Sequence, residues 1–218
     1  MRKLFLVGAL ALFGAMNAQL KFGPKAGLVL SSLKAEEDNL SVTSDTKASF
    51  YVGGLVEYKL TDKFALQGEL LYSPLGGKNS EEESGSYMGY DYSYKYESDI
   101  KLGTLLVPVS AKYYVINGLA LGAGVNFGFI LSAKNKYTET EVVDGDRESY
   151  SEEEDFKDDV NTFNFSPFVS AEYNLNNGLF FDASYNFGVS NMVKNQADNE
   201  TLKMSFFQVG VGFKFGSK

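Results

Sequence analysis

Residues 50–74 read FYVGGLVEYKLTDKFALQGELLYSP, and this stretch decides the fold. Two runs in which apolar residues occupy every second position flank the polar pair Thr61 and Asp62. The other face of each run is mixed and carries Glu57 in the first and Glu69 in the second. Because strand side chains alternate between two faces, the stretch predicts a β-hairpin with one apolar and one partly charged face. An apolar outside with a charged inside is typical of a barrel in a membrane.

The first eighteen residues have the composition of an export signal. They open with two basic residues, continue with an apolar run over residues 4–13 and end on small residues before Gln19. The apolar run is shorter than the ~20 residues that a spanning helix needs. We therefore predict a signal peptide over residues 1–18, which is cleaved, and one outer-membrane β-barrel domain over residues 19–218.

The composition of the chain narrows the classes of function. It contains neither cysteine nor histidine, so disulfides, thiolate metal sites and the usual general base are absent. The whole chain has 20 basic and 28 acidic residues, and removal of the predicted signal peptide leaves 18 against 28, a net charge of −10. Nucleic acid is not expected as a partner, because binding it requires a basic surface.

Strand-like alternation recurs in eight segments, each about as long as the ~10 residues that a tilted strand needs to cross a bilayer. They lie at about residues 22–31, 50–60, 64–74, 100–116, 119–132, 162–175, 179–189 and 207–215. Short turns follow the second, fourth and sixth segments, and long polar connections follow the first, third, fifth and seventh, at 32–47, 76–97, 133–160 and 191–203. The pattern predicts an all-β fold: a closed eight-stranded antiparallel up-and-down transmembrane β-barrel with both termini periplasmic.

Most of the negative charge lies in the long connections. Residues 133–160 carry eleven acidic and four basic residues, and we expect an external, mobile loop because few apolar residues are available to order it. The acidic run Glu152–Asp155 suggests a Ca²⁺ or Mg²⁺ site as an alternative to a solvated loop, although no spacing matches an EF-hand. Tyrosines in residues 76–97 favour a hairpin extension, with a contact surface for sugar or protein as the alternative.

Several short motifs follow one another in the order of a known family. Residues 23–28 read GPKAGL, residues 57–58 read EY, residues 69–73 read ELLYS, and residues 107–108 read VP. Over nearly the whole predicted mature chain this ordered set resembles the PorT-like outer-membrane β-barrel family of Bacteroidetes. The resemblance implies an eight-stranded barrel and, through the founding member, a link to protein secretion, but no reaction. The chain departs from the usual terminal aromatic residue of such barrels at residues 216–218.

Eight charged residues, four of each sign, fall on the inward faces of the predicted strands. They are Lys25, Glu57, Lys59, Glu69, Lys112, Glu172, Asp182 and Lys214. An eight-stranded barrel is only wide enough for side chains to fill it, and buried charges are costly unless they are paired. We interpret the set as a salt-bridged plug, with a proton or ion path and a carboxylate-pair catalyst as alternatives. The expected pairs are Lys112 with Glu69, Lys25 and Lys59 with Glu57, and Lys214 with Asp182 or Glu172.

Together these features predict a small integral outer-membrane barrel with a charge-plugged lumen and acidic extracellular loops. Its expected role is structural, adhesive or accessory to secretion, its partners being outer-membrane lipid and an envelope or secretion-machinery protein. No catalytic residue, cofactor or metal ligand is predicted. A narrow channel or small-ligand carrier is the first alternative. An outer-membrane enzyme is disfavoured, because enzymes in small barrels commonly rely on histidine.

Overall fold

The computed structural model describes residues 19–37, 40–87, 90–194 and 200–216. The predicted signal peptide lies outside these described residues. Within them the chain forms ten β-strands and one short 3-10 helix, Lys157–Asp159. The strands are β1 Leu20–Glu37, β2 Leu40–Thr43, β3 Lys47–Lys59, β4 Phe64–Tyr87, β5 Tyr90–Ile116, β6 Leu119–Val143, β7 Asp146–Asp155, β8 Phe163–Asn174, β9 Leu179–Asn186 and β10 Thr201–Phe213.

Eight of these strands form a closed ring. The order around the ring is β1, β3, β4, β5, β6, β8, β9 and β10, and β10 pairs back onto β1. Every seam is antiparallel. The two remaining strands lie outside the ring, with β2 paired to β1 and β7 paired to β6. The predicted closed eight-stranded up-and-down barrel is confirmed.

The two faces of the ring differ as the alternating sequence predicts. Leu70 is 56% exposed on the outward face, whereas its neighbour Leu71 is 1% exposed in the interior. Large apolar side chains such as Phe64, Val109 and Phe163 share the outward face. None of the described segments forms a helix that is long and apolar enough to cross a membrane.

The short turns of the ring lie at the same end as the first and last residues that the structure describes. Phe22, near the start of β1, pairs with Phe215, just after β10. Gly118 and Gly178 adopt positive φ angles of 87° and 95° in the turns before β6 and β9. Left-handed backbone conformations are readily available only to glycine, so these two residues permit the tight reversals.

At the opposite end, β4, β5 and β6 continue beyond the ring, and β7 pairs with β6 to complete a four-stranded sheet. The pairing of β4 with β5 extends to Tyr87 and Tyr90, so the favoured hairpin extension in residues 76–97 is present. We call the extending residues the acidic ribbon. It comprises residues 79–87 of β4, 90–99 of β5, 134–143 of β6 and 146–155 of β7, and carries fourteen acidic and four basic residues.

The expectation that residues 133–160 form a loop with too few apolar residues to order it is wrong. Most of this segment belongs to the end of β6, to β7 and to the 3-10 helix. The chain reverses at Asp144 and Gly145, both with positive φ, and β7 then pairs with β6 over ten residue pairs. Cross-strand hydrogen bonds to β6 order β7 without an apolar core, and composition alone does not indicate such pairing.

The barrel interior contains an apolar layer toward the ribbon. Its members share near-complete burial and come from the ring and from two connections: Val29, Leu33, Tyr51, Leu71, Leu75, Leu102, Leu106, Ile130, Ala133, Val160, Met192, Met204 and Phe206. Val160 and the adjoining Phe156 belong to the segment expected to be a free loop. Burial of these side chains holds the end of that segment against the barrel.

Candidate functional site

Four buried charges form a closed square inside the half of the barrel nearer the termini. Lys112 Nζ lies 2.8 Å from Glu57 Oε2 and 2.6 Å from Glu172 Oε1. Lys214 Nζ lies 2.7 Å from Glu57 Oε2 and forms an ion pair with Glu172 as well. The Glu57 side chain is 0% exposed. Each lysine therefore bridges both glutamates, and the square is electrically balanced.

Neutral side chains complete the hydrogen bonding of this square. The Tyr114 hydroxyl donates to Glu57 Oε1 at 2.9 Å. Asn174 donates through Nδ2 to Glu172 Oε1 at 2.8 Å, while its Oδ1 accepts from Lys214 at 3.1 Å. Buried ions are stable only when pairing and hydrogen bonds replace water, and here both are present.

A second charge group lies deeper in the barrel and connects to the square. Lys25 Nζ is 2.9 Å from Glu69 Oε2 and 2.9 Å from Asp182 Oδ2. Gln67 joins the two groups: its Oε1 accepts from Lys112 at 2.9 Å and its Nε2 donates to Glu69 Oε1 at 2.6 Å. These two groups together form what we call the charge network.

Seven of the eight predicted inward charges belong to the charge network, but most of their partners differ from those expected. Of the expected pairs, the ion pair of Lys214 with Glu172 is present. Lys112 contacts Glu57 and not Glu69, and Lys25 contacts Glu69 and Asp182 and not Glu57. The expected pairs that are absent join residues of the same strand or of neighbouring strands, whereas side chains in so narrow a barrel also meet residues of more distant strands.

Lys59 is the predicted network member that the structure places elsewhere. It is the last residue of β3, and its half-buried side chain lies at the mouth of the barrel. Its Nζ stands 4.7 Å from the centre of the Tyr114 ring, and among the described residues it forms no ion pair. Lys59 points inward two residues after Glu57 on β3 and therefore lies nearer the mouth of the barrel. At that position it is too far from the square to contact it.

Sequence reasoning missed two further inward cations. Lys47 is buried near the ribbon end, where it pairs with Asp99 and donates to the carbonyl of Ile100 at 2.7 Å. Lys21 shares the inward parity of Lys25 and lies at the opposite end, lining the mouth of the barrel. Extending the alternation of the first two segments by a few residues would have found both.

The acidic run of the ribbon does not converge on a metal site. In the part of the chain that the structure describes, no group of three or more carboxylates is close enough to hold a metal ion. Glu152–Asp155 lie on β7, where successive side chains point to opposite faces. Glu153 instead accepts a 2.5 Å hydrogen bond from Lys134, which lowers the pKa of Glu153 and raises that of Lys134.

The sequence matches the model of a known protein family. Residues 16–194 match the family described as "Outer membrane protein beta-barrel domain", which covers most of the chain. The chain belongs to this family. The protein is therefore a barrel of the bacterial outer membrane.

Solved structures similar to this outer membrane barrel include small barrels of several bacteria. Ail, the attachment invasion locus protein of Yersinia pestis, is 15% identical with a TM-score of 0.43, covering 90% of this chain and 99% of its own. OprG of Pseudomonas aeruginosa is 13% identical with a TM-score of 0.40, covering 92% and 98%. Neisserial surface protein A is 8% identical with a TM-score of 0.39, covering 90% and 97%. A comparison with curated protein sequences found no match.

Proposed function

We propose that this outer-membrane barrel is a non-conducting anchor that holds the acidic ribbon outside the cell, in a structural, adhesive or secretion-accessory role. The observation that carries the proposal is the double filling of the lumen. The charge network occupies the half nearer the termini, and the apolar layer occupies the half nearer the ribbon. An interior cavity beside the network measures about 20 Å³, which is room for about one water molecule.

The charge and exposure of the acidic ribbon support a role in binding another protein rather than in transport. Its net charge of −10 equals that of residues 19–218 as a whole, so the rest of the predicted mature chain is neutral. All ten residues of β7 are exposed, and this strand pairs on one side with β6. A dense field of one sign attracts surfaces of the opposite sign, so the favoured partner is an envelope or secretion-machinery protein with a basic surface.

The proposal includes no catalysis. Each of the carboxylates Glu57, Glu69, Glu172 and Asp182 is already engaged by at least one lysine at the distances given above. A carboxylate held in an ion pair is a weak base and a weak nucleophile. The absence of histidine removes the usual alternative for general base catalysis.

Conductance tests the sealed lumen. We expect no current steps when the folded protein is inserted into planar lipid bilayers, because both halves of the lumen are filled. Protein-free bilayers and bilayers exposed to the urea-unfolded chain control for leakage. Reproducible single-channel steps from the folded protein would overturn the proposal in favour of a narrow channel or small-ligand carrier.

Cleavage at Arg147 tests the orientation with both termini in the periplasm. Arg147 is the only arginine in residues 19–218, and it is exposed directly after the turn at the tip of the ribbon. An arginine-specific protease added to intact cells should therefore cut the protein into two fragments, and the R147K variant should stay whole. The mass of the N-terminal fragment also reports whether residues 1–18 have been removed. Cleavage only after the outer membrane is permeabilised would show the opposite orientation.

We also propose that the chain belongs to the PorT-like barrels within its family. The ordered motifs of the sequence support this assignment. Two of them supply carboxylates of the charge network, Glu57 from residues 57–58 and Glu69 from residues 69–73. A third contributes Pro108, which lines the small cavity beside the network. Each of these three motifs therefore contributes at least one residue to the interior of the lumen.

A further inference from the structure

The mouth of the barrel at the end of the termini opens into a polar basin of about 600 Å³. Its walls come from the start of β1, the end of β3 and the three short turns of the ring. Lys214 and Asn174 of the charge network form its floor. A volume of this size falls within the range of about 300–1,000 Å³ that small-molecule sites occupy.

Three lysines without ion pairs among the described residues line this one basin. Lys21, Lys59 and Lys63 line it, and in the described part of the chain none of the three forms an ion pair. Asp62 is the one acidic residue of the lining. Lysines that share a concave surface without carboxylate partners repel one another and attract an anion. This is the reverse of the charge that the ribbon presents.

The backbone and the aromatic wall bring these lysines to one rim. Lys59 N donates to the carbonyl of Gln19 at 2.9 Å, which ties the end of β3 to the chain just before β1 and Lys21. The Lys59 ammonium rests over the ring of Tyr114 at 4.7 Å, a favourable cation–π distance. Lys63 follows in the turn that leads to β4.

We propose that this basin binds a soluble, multiply charged phosphate compound. Lysine binds phosphate as a point charge, and three lysines around one basin suit an anion that carries several negative charges. The basin has no arginine, since the one arginine of residues 19–218 lies on the ribbon. Asparagines of the turns, Asn117, Asn176 and Asn177, add amide groups to the walls. The ligand is soluble because the basin lies inside the ring, whereas lipid headgroups lie around the outside of the ring.

Binding of inorganic pyrophosphate tests the proposal. We expect the folded barrel in zwitterionic detergent to bind pyrophosphate saturably at one site, measured by titration calorimetry. The triple variant Lys21→Gln, Lys59→Gln, Lys63→Gln should bind at least tenfold more weakly, and Lys59→Gln alone about threefold more weakly. A matched triple variant on the ribbon, Lys95→Gln, Lys134→Gln, Lys136→Gln, removes the same charge and should bind within twofold of the parent.

The folded state of each variant is checked by faster gel migration before heating than after. Failure of the parent to bind saturably, or equal weakening by the two triple variants, would overturn the proposal. Native mass spectrometry from phosphatidylglycerol vesicles distinguishes the phosphate source. A lipid retained by the parent and lost from the basin variant would assign the same site to a headgroup instead of a soluble compound. The binding measurement does not depend on conductance, so it tests the basin separately from the proposed sealed lumen.

Discussion

The substitution Lys112→Met is expected to lower the free energy of unfolding of the barrel by about 3–5 kcal/mol. Lys112 is 3% exposed and bridges Glu57 and Glu172. Without it the two buried glutamates share the single cation Lys214, so one negative charge is left uncompensated. An unpaired buried charge has lost its hydration and gains little in return. The measurement is urea unfolding of the folded protein in lipid vesicles.

A double substitution separates the ion pair from simple packing. Adding Glu57→Gln to Lys112→Met leaves Glu172 paired with Lys214, so a good part of the loss should be recovered. Adding Glu153→Gln is the control, because the Glu153 carboxylate forms its ion pair on the acidic ribbon, outside the charge network. Its effect should be additive. If the single variant unfolds like the parent, the lumen is wet and the channel alternative gains support.

The substitution Leu71→Ala is expected to destabilise the barrel by about 2–5 kcal/mol, because Leu71 is fully buried in the apolar layer. Removing the side chain loses apolar burial and leaves a cavity between rigid neighbours. The adjacent Leu70 points to lipid and is 56% exposed in the protein alone. Leu70→Ala should cost on the order of 2 kcal/mol less, because fluid acyl chains refill the space and no cavity remains.

This pair of variants removes the same atoms from neighbouring residues of one strand. Their difference in unfolding free energy in lipid vesicles therefore reports the cavity in the lumen. Equal losses at the two positions would mean that the ribbon half of the barrel is loosely packed. The double filling that supports a non-conducting barrel would then fail.

The amino-acid sequence by itself determines which segments form the strands of the ring and which side chains face inward. The alternation in residues 50–74 predicts a hairpin with Glu57 and Glu69 inside, and the structure has both side chains there. Short turns such as those containing Gly118 and Gly178 predict which strands are neighbours, and their pairing is antiparallel as expected. These properties can be read from sequence because side-chain period and turn geometry depend on residues only a few positions apart.

Only the tertiary structure decides which inward charges meet. Alternation assigns Lys112 to the lumen, but the stagger of the strands and the curvature of the ring bring it to Glu57 and Glu172 instead of Glu69. The same stagger leaves Lys59 at the mouth. The contribution of Val160 to the apolar layer also escaped prediction, because this residue lies in a segment with an acidic composition. Contacts across a closed lumen join residues far apart in the chain, so no local pattern encodes them.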